Sequence, residues 1–135
     1  MDIQWQTEKP VLFQDLTVDL EAEICNGCGG KDSWFKPGHA DLFRLPCQPH
    51  DYDYAVGGSP WDKVKADWRL RHRIRIQISN LDIGTLRNNL IMDDQLLPDF
   101  VVRQIYKHWS DLYFIGVLAG GNRYFHFGKK RWPIM

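Results

Sequence analysis

The chain carries no net charge: 17 lysines and arginines balance 17 aspartates and glutamates over 135 residues. That balance removes any global attraction to nucleic acid and leaves only local patches. Long apolar runs are missing too, and nothing approaches the ~20 residues of a membrane span. The first residues, Met1 to Gln6, lack the basic-then-apolar order of a secretory signal. A protein outside the membrane is expected, cytosolic or exported by a route not encoded here. Cysteine is scarce, with only Cys25, Cys28 and Cys47. An odd count argues against a full disulfide framework and leaves three options: one bridge with a spare thiol, a metal site, or three free thiols. Internal repeats and low-complexity segments are absent. What is present is enough for a core, at 44% hydrophobic and 13% aromatic residues. The length fits one domain, 1–135.

Periodicity divides that domain. Leu16, Val18, Leu20, Ala22 and Ile24 alternate with Thr17, Asp19, Glu21 and Glu23, a period of two that predicts a half-buried strand. Residues 1–24 therefore read as an N-terminal β segment. Residues 25–46 are rich in Gly, Pro, Asp and Lys and read as a loop. A short helix is expected over about 46–56, closed by Gly57-Gly58. Ser59 suits an N-cap, Pro60 a first helical position, and Asp62 lies three residues past the cap. The following stretch is ambiguous. Ala66, Leu70, Ile74 and Ile78 recur every four residues, while Leu70 to Ile78 also alternates with arginines at 69, 71, 73 and 75. A helix to about residue 77 is the favoured reading, and the arginine run reads as a solvated face. Residues 80–96 read as a connector with some helix. From Pro98 a helix is expected with Phe100, Val101, Ile105, Trp109, Leu112, Ile115 and Leu118 on one face, ended by Gly120-Gly121. The tail alternates again at Tyr124 to Phe127, then turns basic and aromatic at Lys129 to Trp132, where a packed C-terminal strand is expected.

The chemistry concentrates at Cys47-Gln48-Pro49-His50-Asp51-Tyr52-Asp53-Tyr54. A histidine beside a carboxylate can activate water with the ring and hold a cation with the carboxylate. Two readings use these residues. In the first, Cys25, Cys28, Cys47 and His50 form a Cys3His zinc set, C-x2-C and C-x2-H separated by 18 residues. Four protein ligands would make it a structural site. In the second, a hard cation such as calcium takes oxygens from the loop Asn26-Gly27-Cys28-Gly29-Gly30 and the carboxylate of Asp51. His50 would then face a water, with its tautomer fixed by Asp67 on the next helix, or by Asp62 as a fallback.

Asn26-Gly-Cys-Gly-Gly-Lys31, Trp34-Phe-Lys-Pro37, Cys47-x-x-His50-Asp51-Tyr-x-Tyr54, Gly57-Gly58-Ser59 and Asp62-x-x-x-Ala66-Asp67 together resemble the phospholipase A2-like family. The likeness is greatest to its small bacterial and bacteriophage members and covers about residues 25–70. The resemblance implies a mainly α fold, a phospholipase A2-like helical core with a small N-terminal β element. Its centre would be the glycine loop and His-Asp helix pair of 25–78, with a C-terminal helix over 98–121. It implies calcium-dependent hydrolysis of a phospholipid ester by a His-activated water. His50 would be the base, Asp67 its orienting partner and Tyr54 a hydrogen-bonding member of the site. Asp51, Asn26, Gly27 and Gly29 would hold calcium, which polarises the ester carbonyl. Cys28 and Cys47 would form a bridge, and Cys25 has no counterpart. A phospholipid or membrane surface is the implied partner, and a cytoplasmic or phage-associated location the implied setting. This chain has fewer cysteines than secreted members and no signal peptide, and the family does not lead one to expect the arginine run. Two alternatives remain: a non-catalytic binding protein on the same scaffold, and a zinc-stabilised module contacting nucleic acid through the arginines.

Overall fold

The computed structural model describes residues 2–25, 44–88 and 97–135. Two short strands, β1 (Trp5–Gln6) and β2 (Trp132–Pro133), join the two ends of the chain. Between them run α1 (Val18–Ile24), α2 (Arg44–Val56), α3 (Pro60–Asn80), α4 (Ile83–Asn88) and α5 (Asp99–Gly120). The strands pair antiparallel, with Trp5 opposite Pro133 and Gln6 opposite Trp132. The fold is mainly α with a small two-stranded sheet. Among the described residues no helix is long and apolar enough to cross a membrane.

The expected strand over Leu16–Ile24 is a helix instead. Thr17 caps it, its side chain accepting a hydrogen bond from the Leu20 backbone N–H, and Asp19 and Glu21 occupy the first turn. A period-two run contains a period-four subset. Here Leu20 and Ile24 are that subset, and they are the residues buried. Val18, equally apolar and on the alternating side, is 81% exposed. The β element therefore comes from Trp5–Gln6 and the C-terminal tail, not from 16–24.

α3 begins as its sequence requires. Ser59 and Asp62 form a reciprocal capping box, with Pro60 in the first helical position. It runs to Asn80, and the period-four reading of its middle holds: Ala66, Leu70, Ile74 and Ile78 are all buried. The arginines fall elsewhere on the helix and are largely ion-paired. Arg69 and Arg73 face Asp53, and Arg71 faces Asp111.

α5 packs antiparallel on α3, as three cross-links show: Lys63 to Val117, Arg71 to Asp111, and Arg103 to the Ile78 carbonyl. The expected apolar stripe on α5 is not the buried one. Val102, Tyr106, Ser110, Tyr113 and Gly116 face inward, whereas Phe100, Leu112, Ile115 and Leu118 are exposed. Tyr106 is tolerated in the core because its hydroxyl donates to the Leu86 carbonyl at 2.7 Å. The main core joins Leu70, Ile74 and Ile78 to Val102, Tyr106 and Tyr113. Full burial of each aliphatic side chain contributes about 1.5–3 kcal/mol.

α2 ends at Gly57, whose φ of +79° is left-handed. Next to it the Gly58 N–H donates to the His126 carbonyl at 3.0 Å, and the His126 N–H to the Tyr54 carbonyl at 3.1 Å. This junction docks the tail on α2. A Cβ at Gly57 would lie 1.9 Å from the His126 carbonyl oxygen. Gly57→Ala is expected to cost about 2–4 kcal/mol through left-handed strain and this clash. Urea unfolding of Gly57→Ala checks this, and a loss within the about 1–2 kcal/mol of left-handed strain alone would mean the clash is relieved without cost.

Candidate active site

α2 and α3 meet at a buried polar cluster. His50 and Tyr54 lie one turn apart on α2, and their rings meet at a tilt of 47° with centroids 4.2 Å apart. Lys63 and Asp67 lie one turn apart on α3 and form an ion pair at 2.8 Å. All four side chains are buried, Asp67 completely. Asp67 is the hub. Its Oδ1 lies 2.8 Å from His50 Nε2 and accepts from the Tyr54 hydroxyl at 2.6 Å. Its Oδ2 accepts from Lys63 Nζ at 2.8 Å. Both carboxylate oxygens are thus satisfied, as a buried charge demands.

Lys63 is equally well satisfied. It donates to the carbonyls of Val117 and Leu118 at 2.9 and 3.3 Å. These carbonyls belong to the last turn of α5, where a cation is favoured by the exposed C=O groups and the helix dipole. Lys63 therefore ties α5 to the α2–α3 junction and balances Asp67.

Burial by itself would raise the Asp67 carboxyl, but hydrogen bonds from His50, Lys63 and Tyr54 outweigh it and hold the carboxyl below its usual range. Asp67 is thus an anion at neutral pH. The Tyr54 hydroxyl is pushed well above its usual value, by burial first and then by the Asp67 charge, so it stays a donor. The ionised acceptor at Oδ1 calls for a proton on His50 Nε2, and a ring holding only that proton keeps a lone pair on Nδ1. That is the tautomer of a general base with its orienting carboxylate. Behind it, Phe125 meets the Tyr54 ring edge-to-face at 5.2 Å, and a Cβ at Gly121 would lie 2.3 Å from the Tyr54 oxygen. The site has no slack on this side.

The structure brings His50, Tyr54 and Asp67 together, and Asp51 follows His50 on the half-buried side of α2. Asp62, the fallback partner for His50, is not in the cluster. It caps α3 and lies 3.6 Å from Lys65 and from Lys130. Asn26, Gly27, Gly29 and Cys28 lie outside the described residues. Of the expected calcium ligands, Asp51 alone is described, and its carboxylate is the oxygen donor a hard cation takes.

The zinc set fares differently. Cys47 is disulfide-bonded and sits in the main core, so it is not a thiolate. Cys25 is a free thiol in a separate N-terminal apolar cluster with Ile24, Tyr52 and Val56. Burial, then the charges of Asp51, Glu21 and Asp53, push that thiol up to about 12. His50 turns one nitrogen to Asp67. Among the described residues no group of three or more such ligands is assembled.

Lys63 is the member that sequence reasoning missed. Its signal was its position four residues before Asp67 on the same helical face. Such a pair usually lies on a solvated surface, and nothing in the local sequence says that α5 will cover this one.

No protein-family model, no curated protein and no solved structure matches the chain.

Proposed function

We propose that the chain is a calcium-dependent hydrolase of phospholipid esters in which His50 activates a water. The observation that carries this reading is the buried His50 Nε2–Asp67 Oδ1 contact, sealed by Tyr54, with Asp51 the next residue along α2. His50 Nδ1 takes a proton from water as the water oxygen bonds to the ester carbonyl carbon. The imidazolium is stabilised by Asp67, which does not itself take the proton. When the C–O bond to the glycerol oxygen breaks, His50 returns the proton to that oxygen, leaving a fatty acid and a lysophospholipid. No covalent enzyme intermediate forms. Asp51 would hold calcium together with Asn26, Gly27 and Gly29, and the bound ion supplies positive charge for the developing oxyanion.

A lipid surface as the partner is supported by exposed Trp61 and Trp68 on α3, flanked by Lys65 and Arg69. Trp with Lys and Arg suits the headgroup layer.

The test is fatty-acid release from phosphatidylglycerol and phosphatidylcholine vesicles, with calcium and with chelator. Calcium-dependent release from either is expected, with none after chelation. An intact fold that releases nothing from either would leave a non-catalytic binding scaffold. Tightly bound zinc, with unfolding on its removal, would overturn the calcium reading altogether.

A further inference from the structure

A cavity of about 500 Å³ lies on a different face of α2 from His50. It is in the size range of small-molecule sites. Its walls come from three parts of the chain: Val11 and Phe13 before α1, Tyr52 and Val56 of α2, and Trp132 of β2. The walls are locked together, since the Tyr52 hydroxyl donates to the Val11 carbonyl at 2.6 Å and the Arg131 N–H to the Val56 carbonyl at 3.0 Å.

Its polar end carries both signs of charge. Arg73 and Asp53 line the cavity. Asp53 Oδ2 already accepts from Arg69 Nε at 3.2 Å and stands 3.7 Å from Arg73 Nη1. Two guanidinium groups thus share one carboxylate. Lys130 adds to the rim, with its Nζ 3.6 Å from Asp62. Among the described residues, Arg73 Nη1 is a buried side-chain nitrogen without a hydrogen-bond partner. A guanidinium N–H without an acceptor is costly, and an anion reaching Arg73, whose side chain is 35% exposed, would offer one.

We propose that this cavity binds an anionic amphiphile, its carboxylate or phosphate head against Arg73 and its apolar chain along Val11, Phe13 and Trp132. The inference does not depend on the hydrolytic reading. A mixed lining of this kind would reject a bare ion for want of apolar contact, and a neutral chain for want of a partner for Arg73.

Calorimetric titration with decanoate, decanol and inorganic phosphate tests it. Decanoate is expected to bind one-to-one, equally to the wild type and to His50→Gln. Arg73→Met is expected to weaken decanoate by about tenfold or more, the loss of one charge-assisted hydrogen bond. Asp53→Asn removes the competing carboxylate and is expected to tighten it, which keeps the test decisive if Arg73→Met fails to fold. Decanol binding as tightly as decanoate would overturn the anion site, and phosphate binding as tightly would overturn the amphiphile. Decanoate binding lost in His50→Gln would place the ligand in the other site, and unchanged binding in Asp53→Asn would remove Arg73 from the account.

Discussion

Lys63→Met is expected to lower the stability of the fold by about 3–5 kcal/mol, the usual cost of breaking a buried ion pair from one side. Methionine matches the length of the lysine stem and fills its apolar path, so lost packing is a small part of the effect. The larger part is electrostatic. Asp67 would stay buried with its Oδ2 unpaired, and the Val117 and Leu118 carbonyls would lose the donor that ties α5 to the site. Combining Lys63→Met with Asp67→Asn removes the stranded charge. The double variant is therefore expected to be less destabilised than the sum of the two singles by about 1 kcal/mol or more. Urea unfolding at one fixed calcium concentration measures both, since a ligand of the native state would otherwise shift the result. A Lys63→Met protein within about 0.5 kcal/mol of wild type, a change typical of surface sites, would show that the pair is solvated and outside the core.

His50→Gln is expected to cut fatty-acid release by about 10²–10⁴-fold, the usual contribution of a positioned general base. The glutamine amide retains an N–H that can reach Asp67 Oδ1, so the buried carboxylate keeps a donor there beside Tyr54. Melting temperature is expected to change little. Stabilisation by calcium is expected to persist, because Asp51 is untouched. Loss of turnover with both properties retained separates a chemical role from a structural one. Release at the wild-type rate would remove His50 from the proposed mechanism, whatever its bond to Asp67.

How far the sequence carried the site can be judged from its four buried members. His50 and Tyr54 were legible because residues four apart on one helix must share a face, and Asp67 because its helix opens on an unambiguous Ser59-Pro60 start. Lys63 was not. Its burial depends on the last turn of α5, more than 50 residues away, closing over it. The same distinction explains the two errors of local structure. Over 16–24 an alternating pattern satisfied strand and helix alike, and the Thr17 cap with burial of Leu20 and Ile24 decided for helix. On α5 a stripe read by hydropathy chose Phe100, Leu112, Ile115 and Leu118, whereas the core took Val102, Tyr106 and Tyr113. Tyrosine is amphipathic, and the acceptor that Leu86 places at its hydroxyl favours burying Tyr106.

By itself, then, the sequence determined what local covalent geometry and short-range hydrogen bonding can encode: the start of α3, the left-handed turn at Gly57, and the shared face of His50 and Tyr54. The tertiary structure decided everything that depends on a distant partner supplying or withholding water. It chose which α5 face is buried, paired the arginines with Asp53 and Asp111, joined the chain ends as a sheet, and made Lys63 and Asp67 an interior pair. A charge or an apolar side chain carries no mark of its own burial, and its free energy is set by the groups that replace its solvent.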